Sequence, residues 1–298
     1  MARFYLILAT YGRRKEIYNF LESLKNGKFS DFELIVVDQN DVLNIDDIIK
    51  YYKNFFEIHH IKMKEKGLSK ARNVALKFIK DNIRLDEEII VGFPDDDCEY
   101  PPHLLEVVKS TFEERKEYQI LTGVSIDKKS GSFSVGKFKT NSCEINSRNL
   151  FQTAISFTIF VKFKTKNDII YFDEKLGLGS FFSSSEETDY LYSLLKKGYR
   201  GLYLPEKIYV YHPQKGLNFK NQEDQERAYK YSLGMGAFYK KHLIEGKDLS
   251  LIISFIRYFF IRPIGGMLLG AVRLNIPMFK FYKNILVGRW KGFIKYRV

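Results

Sequence analysis

The chain has 298 residues, 45% of them hydrophobic, and a formal net charge of +12. That much apolar surface builds one large core or two intimate ones and excludes global disorder. Its two cysteines, Cys98 and Cys143, exclude a disulfide framework and a cysteine-based zinc pattern, and fit a reducing compartment.

The first hundred residues alternate strand and helix signals. Met1-Ala2-Arg3 leads straight into a buried-strand pattern over 4–9, too short for an export signal, so none is expected. Residues 13–25 carry Ile17, Phe20, Leu21 and Leu24 at helical spacing, and Asn26-Gly27 stops them. Strands are predicted over 32–37, 57–63 and 89–93, with helices over 45–55 and 67–79. This order implies a largely parallel, doubly wound sheet. In the middle, 120–134 and 153–163 read as strands. A helix over 190–197 stops at Gly198, and strands over 199–204 and 207–211 lead to His212-Pro213.

The tail is a helix over 223–242 followed by an apolar stretch, 249–274, broken by Arg257, Arg262, Pro263 and Gly265-Gly266. No run reaches about 18 uninterrupted apolar residues, so no membrane span is expected. After Asp248 there are nine basic residues and no acidic one, which places most of the excess charge in the last fifty positions. That pattern suits helices lying in a membrane interface, with the arginines snorkelling while Phe255, Phe259, Phe260 and Ile261 insert. The alternative is an amphipathic helix packed on the core.

The run Asp95-Asp96-Asp97 follows directly on the strand signal at 89–93. Three adjacent carboxylates repel one another, and a hard divalent cation removes that penalty. In open α/β sheets ligands bind outside the carboxyl ends of the strands, so the run reads as a metal-and-phosphate site. Similar punctuation ends the earlier strands. Thr10-Tyr11 can offer an aromatic face to a nucleobase, and Asp38 can accept a hydrogen bond from a base or a ribose. Ser69 fits a helix N-cap, and Arg72 can brace the aspartates or touch a nucleotide. Glu186 and Glu187 fit the start of a helix, where Ser183 and Ser184 complete capping boxes.

Four motifs in this order resemble family 2 glycosyltransferases over about residues 1–215: Ala9-Thr10-Tyr11-Gly12-Arg13, Val36-Val37-Asp38-Gln39-Asn40, Gly67 to Asn73 with Asp95-Asp96-Asp97, and Glu186-Glu187-Thr188-Asp189. The resemblance implies a GT-A fold, an α/β, Rossmann-like, doubly wound and mostly parallel sheet with a C-terminal helical extension. It divides the chain into a nucleotide-sugar half (1–110), an acceptor and catalytic half (111–220) and a basic tail (221–298). It implies donor contacts from Thr10, Tyr11, Arg13, Asp38, Lys70, Arg72, Asp95 and Asp96. Asp95 and Asp97 correspond to the family's D-x-D acids. Asp97 then coordinates Mn2+ or Mg2+, and Asp95 or Asp96 meets the ribose or a metal-bound water. His212 completes the metal shell or touches the diphosphate. Glu187 acts as general base with Glu186 as an alternative, and Glu186 or Asp189 orients the site. Gln39 stands where the family usually has a second acid.

The expected activity is inverting, metal-dependent transfer from a nucleoside diphosphate sugar, foremost a UDP-sugar, to a glycan or lipid-linked glycan. The expected location is the cytoplasm, at the inner face of the cytoplasmic membrane through a peripheral tail contact, with no nucleic-acid partner. Two rivals are a sugar-nucleotide-forming nucleotidyltransferase and a non-catalytic, membrane-docked polyanion binder.

Overall fold

The structure, a computed structural model, describes residues 2–84, 87–134, 138–214 and 216–297. The chain forms two compact units. The first comprises Met1–Asn146, Phe151–Tyr171 and Ser193–Lys215, and the second Ser147–Leu150, Phe172–Tyr192 and Gly216–Val298.

The first unit opens with β1 (Arg3–Thr10), α1 (Lys15–Lys25), β2 (Glu33–Asp38), α2 (Asp46–Tyr52), β3 (Glu57–Lys62), α3 (Leu68–Asn82) and β4 (Ile89–Gly92). The alternation follows the sequence pattern closely. β1 lies between β2 and β4, β3 pairs with β2, and all four are parallel. Consecutive residues such as Leu6-Ile7-Leu8 and Ile35-Val36-Val37 are fully buried. Both faces of these strands are therefore covered, as a parallel sheet requires. α1 buries Ile17, Phe20, Leu21 and Leu24, one helical stripe. The register aligns Thr10 with Asp38, and an isolated bridge joins Ala9 to Asp95, so the predicted site segments end at one edge of the sheet.

Three features depart from the sequence expectation. α4 (Leu104–Glu114) was not predicted, although Leu104, Leu105, Val108 and Phe112 form its buried stripe. The stretch 120–134 is not one strand but β5 (Ile120–Thr122) and β6 (Val124–Ile126), separated by Gly123. A Cβ at Gly123 would strike the Ile208 carbonyl, and here the chain leaves the large sheet to pair β6 with β10 (Tyr209–Tyr211). In 153–163 a 3-10 turn, Ser156–Thr158, precedes β8 (Phe160–Phe163). With β7 (Cys143–Glu144) and β9 (Gly201–Tyr203), the large sheet among the described residues runs β3-β2-β1-β4-β8-β5-β9-β7. β8 is antiparallel to β4 and β5, and β7 to β9; the remaining pairs are parallel. The architecture is the predicted α/β class, with a mostly parallel central sheet and C-terminal helices.

The second unit contains the first seven residues of α5 (Glu186–Lys196), then α6 (Gln222–Tyr239), α7 (Ile252–Phe255), α8 (Arg262–Val272) and α9 (Ile276–Lys295). π-helical turns at Lys240–Glu245 and Ile256–Ile261 interrupt the run. α6 and α9 meet backbone to backbone. A Cβ at Gly236 would run into the Arg289 carbonyl, one at Gly288 into the Tyr229 carbonyl, and one at Gly292 into the Leu233 carbonyl.

The aromatic residues expected to insert into a membrane face inward instead. Phe259 is fully buried, and it packs with Phe255, Phe260, Trp290 and Phe293. Of the four residues expected to insert, only Ile261 is exposed. The helical run Leu249–Val272 is long and apolar enough by composition to cross a membrane, which the sequence did not lead one to expect.

Candidate active site

The edge formed by the ends of β1 and β4 gathers most of the predicted donor residues of the first unit. Thr10 donates its hydroxyl to Asp96 Oδ2 at 2.8 Å. Arg13 Nη1 reaches Asp96 Oδ1 at 2.7 Å and Asp97 Oδ2 at 2.6 Å, bridging two adjacent carboxylates. Arg72, 1% exposed, projects from the first turns of α3 to Asp95 Oδ1 at 3.1 Å. A buried guanidinium needs such a partner, because an uncompensated charge in the interior is strongly destabilising. Ser156, on the 3-10 turn, donates to Asp95 at 3.2 Å.

Burial pushes the Asp96 carboxyl up to about 6, against the pull of Arg13 and Thr10. Burial also pushes Asp95 up, against Arg72. Two guanidinium groups, those of Arg13 and Arg72, thus face three carboxylates.

His212 shows where further charge fits. Its Nδ1 lies 2.8 Å from the Pro213 carbonyl, which only accepts, so Nδ1 carries the proton. In the neutral ring Nε2 is then a lone pair, and it faces Asp97 Oδ1 at 3.3 Å. Two acceptors at that distance repel unless a proton or a cation lies between them. Phe157 stacks on the imidazole at 5.1 Å with the rings 3° from parallel, which fixes its plane. Carboxylates beside one imidazole form a donor set that suits a divalent cation.

Among the described residues, two groupings have metal-like spacing, Glu33-Glu57-His59 and Asp38-Asp46-His60. Each already has a cation: Arg3 pairs with Glu33, and Lys62 pairs with Asp46 at 2.7 Å.

Asp38 is buried and held from both sides. Its Oδ1 accepts from Asn40 N at 2.9 Å and Asn40 Nδ2 at 2.7 Å, and its Oδ2 lies 3.1 Å from His60 Nε2. Asn40 in turn accepts from Gly12 N–H at 2.6 Å. Gln39, which replaces an acid of the resembled motif, accepts from Gly67 N–H at 2.8 Å and ties the end of β2 to the start of α3. Tyr11 is exposed, with the Lys66 ammonium 4.5 Å from its ring centroid. Lys70 pairs with Glu65 at 2.7 Å. His60, Asn40, Lys66 and Ser156 were not singled out in the sequence. His60 reaches Asp38 through the pairing of β3 with β2, which no local pattern in the sequence announces.

Glu186 and Glu187 open α5 within the second unit. Ser185, immediately before them, takes φ 68°, a left-handed conformation uncommon outside glycine. Ser183 donates to the Ser180 carbonyl at 2.9 Å, and Ser184 to the Tyr231 carbonyl. Glu186 is buried and Glu187 half-buried. The helix start is anchored one turn on. Asp189 receives Lys241 Nζ at 2.8 Å on Oδ2 and faces His242 Nε2 at 2.7 Å through Oδ1. Lys241 also reaches Asp173 at 2.9 Å, and Asp173 accepts from the Tyr296 hydroxyl. The π-helical turn lets these consecutive residues meet one carboxylate.

Residues 5–173 match the family model for glycosyl transferase family 2. No curated protein matches the chain. Among solved structures, residues 1–349 of TarS from S. aureus share 19% identity at a TM-score of 0.57, covering 96% of this chain and 92% of that one. TarS 1–349 in complex with UDP-GlcNAc gives 18% identity, a TM-score of 0.55 and the same coverage. The mannosyltransferase PcManGT from Pyrobaculum calidifontis, in complex with GDP-Man and Mn2+, shares 11% identity at a TM-score of 0.63, covering 98% of this chain and 87% of that one. At these identities the structural likeness speaks to the fold, a GT-A one. The family match spans more than half the chain, across the strand ends that gather Thr10, Arg13, Asp38, Arg72 and the three aspartates, and on that ground the chain belongs to glycosyl transferase family 2 and is a glycosyltransferase.

Proposed function

We propose that this glycosyltransferase moves a sugar from a nucleoside diphosphate sugar to a hydroxyl of a glycan or lipid-linked glycan, with inversion at the anomeric carbon. The observation that carries the reading is the cluster at the sheet edge, where three aspartates meet Arg13, Arg72 and the imidazole of His212. A UDP-sugar is the first choice of donor, with Asp38 as the acceptor for a base N–H, a group that uracil and guanine both carry. The TarS structure holds UDP-GlcNAc and the PcManGT structure GDP-Man, so both donors belong in the first assay.

Tyr11 stacks on the base. Thr10, Arg13, Lys70, Arg72, Asp95 and Asp96 orient the ribose and the diphosphate. Mn2+, or Mg2+, held by Asp97, Asp95 and His212 would neutralise the diphosphate as it departs; one imidazole among carboxylates favours Mn2+. Glu187 removes the proton from the acceptor hydroxyl. The acceptor oxygen forms its bond to the anomeric carbon as the bond to the diphosphate breaks, and the nucleoside diphosphate leaves with the electron pair. Glu186 is the alternative base. A lipid-linked acceptor and a place at the inner face of the cytoplasmic membrane fit the basic, apolar C-terminal helices.

The test is donor turnover with UDP- and GDP-sugars, with and without Mn2+, in the wild type and in Glu187→Gln. The variant should keep its nucleotide-induced thermal shift and lose transfer by about a hundredfold or more. Transfer at the wild-type rate would sink the assignment of the base. Pyrophosphate released from a nucleoside triphosphate plus a sugar phosphate would replace the reading with a nucleotidyltransferase.

A further inference from the structure

The second unit leaves an aliphatic face bare. Along Leu249–Val272 the exposed large side chains include Ile256, Ile261, Ile264, Leu268, Leu269 and Val272, at 40–82% exposure. On α8, Ile264, Leu268 and Val272 lie four apart, which places them on one side of the helix. Twenty-four residues at about 1.5 Å each make the strip roughly 35 Å long. Soluble monomers rarely expose so continuous an apolar strip without a partner.

The surrounding charge identifies the partner. Of the nine basic residues after Asp248, all but Arg289 are exposed, and no acidic residue accompanies them. Arg289 is buried and donates to the Tyr258 carbonyl, and burial lowers its pKa to about 10. The other eight are therefore available to an anionic surface. Simple aliphatic side chains fringed by arginine and lysine match the boundary between headgroups and acyl chains.

We propose that the second unit docks on an anionic lipid surface through this face, with Leu249–Val272 lying along the membrane and not across it. Arg257 and Arg262 decide the orientation. Both are exposed near the middle of the run. A crossing helix would carry their guanidinium groups to hydrocarbon depth, whereas a helix lying flat keeps them at the headgroups. The docking stands independently of the glycosyl-transfer chemistry, because it uses no residue assigned to the donor or the acceptor.

The full chain should co-float with vesicles of phosphatidylcholine containing 30% phosphatidylglycerol, and at least tenfold less with phosphatidylcholine alone. Trp290, the chain's single tryptophan, is part exposed and packs on Phe259 and Phe260, so its emission should shift to the blue on binding. The triple variant Ile264→Ser, Leu268→Ser, Val272→Ser changes only exposed positions. It should keep the wild-type circular dichroism and nucleotide-induced thermal shift and lose at least tenfold in vesicle partitioning. Arg257→Gln, Arg262→Gln and Arg273→Gln together should weaken partitioning by about a hundredfold, roughly fivefold per cation. Four results would each overturn the proposal: no partitioning into anionic vesicles, undiminished partitioning of the serine variant, retention of the wild type in the membrane after alkaline carbonate, or a lipid-free dimer that the serine variant dissociates.

Discussion

Lys241 is the place to test how the second unit holds the start of α5. Its ammonium stands between Asp189 and Asp173, at 2.8 and 2.9 Å, with its side chain 23% exposed and theirs 3% and 15%. Lys241→Met keeps most of the apolar stem and removes the charge. Removing one partner of a buried pair costs about 3–5 kcal/mol. Partial exposure and the remaining contacts of His242 and Tyr296 place this case at the low end, about 3 kcal/mol. At roughly 2–4 °C per kcal/mol, the melting temperature should fall by about 9 °C at pH 7.5. The pH dependence gives a second readout. Burial works against the charge on Asp173, but the Tyr296 and Lys241 bonds outweigh it and hold its pKa below the usual value. That contribution is present above the unfolded pKa and is lost as pH falls through the folded one, so the wild type weakens below about pH 4. Burial likewise opposes the Lys241 charge, and the two aspartates overcome it and raise its pKa, so its contribution fades only in alkali. In the variant Asp173 loses the ammonium that helps hold its pKa down, so protonation relieves it at a higher pH. The melting deficit should therefore shrink between pH 7.5 and pH 5. A loss under about 2 °C, or a deficit that widens on acidification, would refute the argument; differential scanning calorimetry at the two pH values measures both.

Other perturbations address the first unit. Asp97→Asn and His212→Ala should each raise the Mn2+ concentration for half-maximal donor turnover by about a hundredfold or more, since even outer partners of metal ligands are worth 10–100-fold; a metal titration reads this. His60→Ala frees one side of Asp38 and should raise the donor KM about fivefold, one hydrogen bond's worth, with kcat unchanged and partial rescue by His60→Asn. Gly123→Ala forces a methyl into the Ile208 carbonyl and should destabilise by about 2–3 kcal/mol, measured by urea unfolding.

The strand ends were legible because a parallel sheet writes its buried strands as short apolar runs, and polar residues stop them at the sheet edge. His60 was not, because its approach to Asp38 depends on β3 pairing with β2, which is a fact of topology. Ser156 reaches Asp95 from a 3-10 turn on a segment with no periodic signal. The split at Gly123 depends on a carbonyl 85 residues away. The tail's composition pointed to an interface, yet its helical phase could not be followed. A π-helical turn such as Ile256–Ile261 inserts a residue into the repeat and rotates everything after it by about a quarter turn or more. That rotation accounts for aromatics inside and aliphatics outside.

The glycine contacts between α6 and α9 have a consequence for the second unit. Gly288 and Gly292 are four apart and nestle against the backbone of Tyr229 and Leu233. Attraction between main chains at such range comes from dispersion, and it persists when hydrocarbon replaces water, unlike a seam that relies on solvent being expelled. Amphiphiles that loosen ordinary cores should spare this pair, so detergent extraction is expected to recover the helices still clasped.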